Sequence, residues 1–188
     1  MKRKISLSIA AMAMVLTIAI GGTLAYFTDH DSATNVITMG KVKISLVEKT
    51  VSTGEKEYTD GISYDGIHPG DVISKQPIVK VAADSQPAYI RVRVHAKSPD
   101  AELAKHLSEL SYDVHGWKYI NGYYYYPHIV YPGTSITLFQ HVTIPTGWGN
   151  FISGKTFKID LTAEAIQASY FNPDFNSGAD PWHGVMIE

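Results

Sequence analysis

The sequence predicts an all-β protein, a β-sandwich of jelly-roll or Greek-key type with one short helix in a connection, preceded by a signal-peptide helix. Several segments alternate apolar and polar residues with a period of two, which is typical of half-buried strands. Turn signals separate about seven to nine such segments at intervals of about 8 to 12 residues, as in β-sandwiches. Tyrosine is abundant, with 12 residues, and together with the β-branched residues it favours sheet.

The N-terminus predicts an export signal. Basic residues at positions 2–4 precede an uncharged apolar stretch at Ile5–Ile20, and a glycine pair then breaks the hydrophobic helix. A small-residue site ends at Ala25, so we predict cleavage between Ala25 and Tyr26. The alternative is an uncleaved anchor, because residues 5–24 are nearly long enough to span a bilayer.

Removal of residues 1–25 would leave a single jelly-roll domain at residues 26–188 that begins with an extended segment at residues 26–39. Its 163 residues suffice for one domain with its own core. It would carry 13 basic against 18 acidic residues, a net charge of −5, which argues against nucleic acid or an anionic membrane as a partner. The chain has no cysteine, which excludes disulfides, thiol catalysis and cysteine-based zinc sites.

The first predicted strands lie in the N-terminal half of the chain. Residues 35–48 alternate between apolar and polar side chains and predict a strand with one solvent face. A second strand is predicted over residues 72–81, where Pro77 indicates a sheet edge or a bulge. The clearest alternation follows at residues 87–96, which predicts a long strand.

One short helix of about three turns is predicted after that strand. Ser98 is suited to the N-cap and Pro99 to the first helical position. Leu103, Leu107 and Leu110 then form one apolar stripe at helical spacing. This is the one convincing helix predicted for the domain.

A hairpin is predicted in the second half of the chain. An Asn-Gly pair at positions 121 and 122 lies between the strand-like runs 111–120 and 123–126, which is typical of a type I′ turn. Further strands are predicted over residues 135–144 and 156–168.

Residues 21–48, GGTLAYFTDHDSATNVITMGKVKISLVE, combine a glycine pair, an aromatic pair at Tyr26 and Phe27, and a short polar segment that leads into a strand. In this pattern the chain resembles the TasA/camelysin family, and the match continues at Pro69-Gly70-Asp71 and at residues 170–174. The resemblance implies a secreted protein that a SipW-type signal peptidase processes. It also implies a jelly-roll fold with short helices in its connections.

The resemblance further implies a structural role in an extracellular or biofilm matrix. Cleavage would free the segment Tyr26–Met39, which would then add to an open sheet edge of the next subunit. With Tyr26 as the new terminus, the expected anchors are Phe27, Val36 and Ile37. Head-to-tail contacts of this kind propagate as a filament, so the expected partners are further copies of the chain and other matrix proteins. The uncleaved precursor would stay tethered to the membrane.

Camelysin-type relatives are classed as metallopeptidases, which makes a secreted metallopeptidase the first alternative function. The sequence has no H-E-x-x-H pair, and its eight histidines are dispersed. The nearest candidate ligands are His106 with Glu109, and the cluster Asp29-His30-Asp31. A solvated helix face and a soluble segment are the preferred interpretations. We therefore predict no enzymatic activity, no catalytic residue, no metal and no cofactor.

The tail, residues 172–188, is too rich in Asn, Pro, Gly and Asp for regular structure. Four of its residues are spaced by two, as in a calcium-binding loop: Asp174, Asn176, Gly178 and Asp180. Ala179 stands where such a loop needs glycine, and Val185 where it needs a bidentate glutamate. A surface loop without calcium is therefore predicted.

Tyrosines crowd the predicted hairpin. Because alternate residues of a strand face opposite sides, Tyr124 and Tyr126 share one face, and with Trp117 they form a candidate aromatic surface. Such a surface can stack on sugars or on a neighbouring subunit, which gives the second alternative function, a monomeric cell-surface module that binds carbohydrate or matrix. Cross-strand pairs that stabilise the hairpin are the preferred interpretation of these rings.

Overall fold

The computed structural model describes residues 28–31, 42–50, 56–59, 62, 67–169, 171–176 and 178–185. Within these ranges the chain folds as an antiparallel β-sandwich, which confirms the predicted all-β class. The signal peptide with its cleavage site between Ala25 and Tyr26, and the predicted anchors Phe27, Val36 and Ile37, lie outside the described residues. The described part of the chain contains no helix whose length and apolar character would let it span a bilayer.

Strands dominate the described residues. They are β1 (Thr28–Asp31), β2 (Ile44–Lys49), β3 (Val72–Ser74), β4 (Gln76–Val81), β5 (Ala88–Lys97), β6 (Ser111–Tyr112), β7 (Lys118–Ile120), β8 (Tyr123–Tyr125), β9 (Ser135–Thr137), β10 (His141–Thr143) and β11 (Lys158–Gln167). One α-helix, α1, spans Ala101–His106, and 3₁₀ turns span Leu107–Glu109 and Asn150–Ile152.

The larger layer has five strands in the order β1-β11-β5-β8-β7. Its centre is the antiparallel pairing of β5 with β11, which keeps one register along the full length of both strands. The alternation predicted for β5 is observed, since Ile90 and Val92 are buried in the core, whereas Arg93 and His95 are exposed on the outer face. The long final strand predicted over residues 156–168 is β11.

The smaller layer consists of two three-stranded ladders, β2-β4-β9 and β3-β10-β6, that share one register. Ser74 lies opposite His141 and Ile78 opposite Thr137, so equal numbers of residues separate these pairs on both strands and none is inserted. The ladders are interrupted at Pro77 because proline has no N–H to donate, although its carbonyl still accepts a hydrogen bond of 3.0 Å. Pro77 lies in a central strand, and the predicted edge or bulge is wrong.

The helix α1 begins two residues later than predicted. The carboxylate of Asp100 caps it by accepting hydrogen bonds from the N–H groups of Glu102 and Leu103 at 3.1 and 2.9 Å. The predicted cap at Ser98 is wrong, because the Ser98 hydroxyl donates to the carbonyl of Thr156 at 2.6 Å and ties the helix start to the chain before β11. The predicted leucine stripe is buried in the core: Leu103, Leu107 and Leu110.

The predicted hairpin joins β7 and β8. Asn121 and Gly122 have φ angles of 50° and 85°, the left-handed pair that a type I′ turn requires. The single strand predicted over residues 111–120 is wrong. A turn at Gly116, whose φ is 77°, divides it into β6 in the smaller layer and β7 in the larger one.

Two apolar clusters hold the fold together. The main core lies between the layers and includes the buried rings of Phe139 and Trp148. A second cluster, called the outer cluster below, contains the buried residues Tyr125, Ile166 and Trp182. It lies on the outer face of the larger layer, where the C-terminal tail covers the sheet.

Candidate functional site

The outer edge of the larger layer is formed by β1, which pairs antiparallel with β11. Thr28 lies opposite Ile166, and Asp31 lies opposite Ala163. This short strand covers only the second half of β11. Among the described residues, no strand pairs with the other edge positions of β11, from Lys158 to Thr162. Unpaired N–H and C=O groups along an edge are a template for another strand.

The part of β11 that holds β1 has two different faces. Ala163 and Ala165 are fully buried in the main core. Glu164 and Ile166, which alternate with them, are buried on the opposite side of the sheet, and Ile166 belongs to the outer cluster. The backbone of this four-residue stretch pairs with β1. Its two alanines pack in the main core, and Ile166 packs in the outer cluster beneath the C-terminal tail.

Arg91 is the centre of the outer face. Its Nε donates to the Glu164 carboxylate at 2.6 Å, and its guanidinium lies 4.2 and 4.3 Å from the ring centroids of Tyr123 and Trp182. Burial disfavours the charged form, but the contacts with Tyr125 and Glu164 outweigh burial and raise the pKa of Arg91. The cation is thus held between two rings and one carboxylate, an arrangement that combines cation–π attraction with a charge-assisted hydrogen bond.

The C-terminal strap, defined as residues 171–176 and 178–185, covers this network. Asp180 shapes it by accepting hydrogen bonds from the backbone N–H of Trp182 at 3.0 Å and of Gly184 at 2.9 Å. The Tyr125 hydroxyl also donates to Asp180, at 2.9 Å. Although burial opposes ionisation, these bonds lower the pKa of Asp180. The strap is therefore fastened to the sheet through both its backbone and its side chains.

The sequence analysis did not identify the strap. Three aromatic residues in a tail otherwise composed of loop residues indicate that this tail packs against the sheet: Phe171, Phe175 and Trp182. The Phe171 ring packs against Trp182 with centroids 6.4 Å apart, and Phe175 packs against Tyr125 at 6.3 Å.

The positions of the tail that resemble a calcium loop hold the strap together. The side-chain oxygen of Asn176 accepts from the Lys118 ammonium at 2.8 Å, and Asp174 accepts from the backbone N–H of Asn176 at 2.9 Å. Asp180 binds the strap backbone as described above. The positive charge of the Lys118 ammonium, bound to Asn176, opposes the binding of a cation at the same place.

The histidine and carboxylates near α1 form local contacts. His106 Nδ1 and the Glu109 carboxylate lie 2.7 Å apart, and the second oxygen of Glu109 accepts from the Trp148 indole N–H at 2.8 Å. These contacts lower the pKa of Glu109, with His106 making the largest contribution. In the part of the chain that the structure describes, no group of three or more histidine or acidic side chains is arranged to hold a metal ion.

The predicted aromatic surface lies at the edge of the sandwich. Trp117, Tyr124 and Tyr126 are each partly buried and pack against the main core. Trp117 and Tyr126 have centroids 5.2 Å apart, and Tyr124 lies 4.8 Å from Tyr119, its cross-strand partner. Tyr119 is the more accessible ring, with 65% of its surface exposed. These ring contacts stabilise the hairpin, and Tyr119 is the ring among them that is exposed to solvent.

Fold and site together define an all-β sandwich domain whose own N-terminal strand covers the edge of its larger layer. The family model described as camelysin metallo-endopeptidase matches residues 1–83, and this match confirms the resemblance to the TasA/camelysin family. The matched part includes β1 to β4 and ends before β5. No curated protein and no solved structure matches the chain.

Proposed function

We propose that the protein is a secreted structural subunit of an extracellular matrix, which assembles head to tail when its N-terminal segment pairs with β11 of the next subunit. The observation that carries the proposal is the pairing of β1 with the edge of β11 inside one chain. An edge that accepts this strand from its own chain offers the same backbone groups to the same segment of another copy. The family match supports export of the chain.

The connection between β1 and the sandwich gives the donor strand reach beyond its own domain. Ten residues, 32–41, separate Asp31 from Val42. When extended, they reach up to about 35 Å, since each residue spans about 3.3 to 3.6 Å. Because donor and acceptor are different surfaces, each subunit can give one strand and receive another. Such a contact continues as a filament instead of closing.

The test compares two chains, residues 26–188 and residues 40–188, by size-exclusion chromatography and electron microscopy. We expect filaments from the longer chain and monomers from the shorter one, which lacks the donor segment. Adding a synthetic peptide of residues 26–39 to the shorter chain should give a one-to-one complex, which shows that its edge is competent. If both chains stay monomeric and folded, polymerisation by strand donation is wrong.

A secreted metallopeptidase is the second candidate function, because the matching family model carries that description. The test measures zinc content and casein cleavage of the chain 26–188. We expect neither stoichiometric zinc nor cleavage. Stoichiometric zinc together with cleavage that a chelator abolishes would establish the peptidase instead.

A carbohydrate-binding module is the third candidate, and the exposed ring of Tyr119 beside Tyr124 favours it. If the chain 26–188 stays monomeric but is retained by matrix polysaccharide, and Tyr119→Ala abolishes that retention, this function replaces the first. Tyr131→Ala is the matched control, because Tyr131 is similarly exposed, at 60%, outside the hairpin.

A further inference from the structure

Two tyrosines contact each other across the hairpin of β7 and β8. Tyr119 lies directly opposite Tyr124, and their ring centroids are 4.8 Å apart with the ring planes inclined by 48°. In a two-residue hairpin the residues that flank the turn, here Ile120 and Tyr123, form a hydrogen-bonded pair. The next pair along the strands is then a non-hydrogen-bonded one, in which the side chains approach each other more closely. The register of the hairpin therefore fixes the contact between the two rings.

A contact between two phenol rings suits one reaction in particular, oxidative coupling to dityrosine. Removal of one electron and the phenolic proton from a tyrosine gives a phenoxyl radical, whose unpaired electron is shared with the ring carbons beside the one that carries oxygen. Two such radicals in contact couple through one of these carbons on each ring. The chain has no cysteine, so no thiol competes for the oxidant.

The two rings differ in their access to solvent. Tyr119 is 65% exposed, so an oxidant in solution can reach it. Tyr124 is partly buried and packs against the main core. Burial raises the pKa of Tyr124, and the neighbouring Tyr119 raises it further, as expected for two hydroxyl groups that lie near each other. The pair thus combines an accessible ring with a second ring that packing holds in place.

The other tyrosine pair in ring contact among the described residues is less suited to this reaction. Tyr123 and Tyr125 have centroids 6.1 Å apart, and Tyr125 is buried in the outer cluster. The Arg93 guanidinium donates to the Tyr123 hydroxyl at 2.6 Å, and the Arg91 guanidinium lies 4.2 Å from the Tyr123 ring centroid. A cation beside a ring opposes the loss of an electron from it. Oxidation is therefore directed to Tyr119 and Tyr124.

We propose that Tyr119 and Tyr124 are a site of oxidative cross-linking, where hydrogen peroxide and a haem peroxidase convert the ring pair into an intrachain dityrosine. Each phenol gives up one electron and one proton, and one hydrogen peroxide takes up both pairs and becomes two molecules of water. The radicals form one carbon–carbon bond, and the ring hydrogens at that bond move to the oxygens and restore both hydroxyl groups.

The cross-link ties the edge strand β7 of the larger layer to β8, in a chain that can form no disulfide. A covalent bond between the strands keeps β7 from separating at this edge. The inference goes beyond the proposed function and does not depend on fibre assembly, because both rings belong to one chain.

The experiment treats the chain 26–188 with hydrogen peroxide and a haem peroxidase, and measures dityrosine fluorescence and intact mass. We expect a monomer that has gained the fluorescence and lost two hydrogen atoms. Tyr119→Phe and Tyr124→Phe should each lower the dityrosine yield by about tenfold, because phenylalanine keeps the ring but has no hydroxyl to oxidise. The matched control is Tyr131→Phe, since Tyr131 is similarly exposed, at 60%. Its yield should stay within about twofold of the unchanged chain, because distant sites act independently.

Hydroxylamine cleavage identifies the cross-link as intrachain. The reagent cuts Asn-Gly bonds, and Asn121-Gly122 is the only such bond in the sequence. This bond lies between Tyr119 and Tyr124. After oxidation and denaturation, the cut chain should therefore keep its two fragments joined, whereas the chain that was not oxidised should separate into two.

Several outcomes would overturn the proposal. They are the absence of dityrosine from the oxidised, unchanged chain, a yield that Tyr119→Phe does not lower, and fragments that separate after hydroxylamine. Dityrosine found mainly in dimers would also overturn it, because the coupling then joins two copies. Tyr119→Phe changes an exposed ring and keeps the test valid if Tyr124→Phe misfolds. If the chain 26–188 forms no filaments but its fragments stay joined, the fibre role fails and the cross-link stands.

Discussion

Trp182 anchors the C-terminal strap, and its replacement by alanine should release the strap while the sandwich stays folded. The side chain is fully buried and contacts the rings of Tyr125 and Phe171 at centroid distances of 6.0 and 6.4 Å. It also covers the Arg91 guanidinium at 4.3 Å. None of these residues belongs to the main core between the layers, so we expect that core to persist when the strap is released.

The magnitude follows from the buried area. A tryptophan buries about 150 to 250 Å², which at about 25 cal/mol per Å² corresponds to about 4 to 6 kcal/mol as an upper estimate. Detachment of the strap limits the loss, because the released residues regain conformational entropy. We therefore expect Trp182→Ala to lower the free energy of unfolding by about 3 to 5 kcal/mol, the usual range for a buried aromatic.

The matched control is Trp182→Phe. The Trp182 indole N–H has no hydrogen-bond partner among the described residues, so phenylalanine keeps an aromatic ring and gives up no polar contact found there. Its cost should be about 1 to 2 kcal/mol for the smaller ring. Urea denaturation measures both variants, and circular dichroism checks that the sandwich persists.

A second measurement reports on the strap directly. Burial raises the pKa of Tyr125 to about 12, and loss of Trp182 should return it towards its ordinary value near 10. Ultraviolet titration of Trp182→Ala, with a Tyr125→Phe chain to assign the signal, tests this shift. A stability loss below about 1 kcal/mol, or an unchanged tyrosine titration, would refute the reasoning that Trp182 holds the strap.

Three further changes test other parts of the fold. Lys75→Met should lower the free energy of unfolding by about 3 to 5 kcal/mol, because it leaves the buried Glu48 carboxylate without its partner. In the unchanged chain the Lys75 ammonium lies 2.6 Å from that carboxylate. Adding Glu48→Leu should recover most of the lost stability, as measured by urea denaturation. Gly122→Ala should cost about 1 to 2 kcal/mol of the free energy of unfolding, because its φ of 85° strains a residue that carries a Cβ. No clash adds to this cost, since the added Cβ would meet nothing within 4 Å. Gly122→Asn should cost less, because asparagine tolerates this backbone conformation better. Burial raises the pKa values of Tyr112 and Tyr125 to about 12. Above about pH 10 these tyrosines therefore ionise in the unfolded chain before they ionise in the folded one. Their contribution to stability is complete below about pH 10 and is lost as the pH rises towards about 12. The urea midpoint should fall across that range, and phenylalanine at both positions should remove much of the fall.

The sequence predicted those turns, helices and strands whose formation depends on residues close together in the chain. The Asn-Gly pair at positions 121 and 122 predicted the type I′ hairpin because only residues that tolerate positive φ form that turn. The leucine stripe of α1 and the alternation of β5 were likewise visible, since burial follows the period of each element. The cap of α1 was misassigned because Ser98 and Asp100 are both good caps, and the competing contact of Ser98 is with the distant residue Thr156.

The parts that could not be predicted depend on contacts between distant residues. Pro77 indicates an edge by itself, yet it lies in a central strand because one missing ladder bond is tolerated when the register continues on both sides. The strap joins Trp182 to Arg91, residues that lie far apart in sequence. Nothing in the tail alone shows that its aromatic residues return to cover β5, β8 and β11.

The antiparallel pairing of β1 with β11 also has a mechanical consequence. A pull along the strand axis loads the hydrogen bonds of such a pair together, in shear, whereas a pull across the axis breaks them one after another. In a filament joined by this pair, axial tension would pass from β1 of one subunit into β11 of the next. That strand is backed by β5 and packs against the strap through Ile166. The joint would then resist stretching better than peeling.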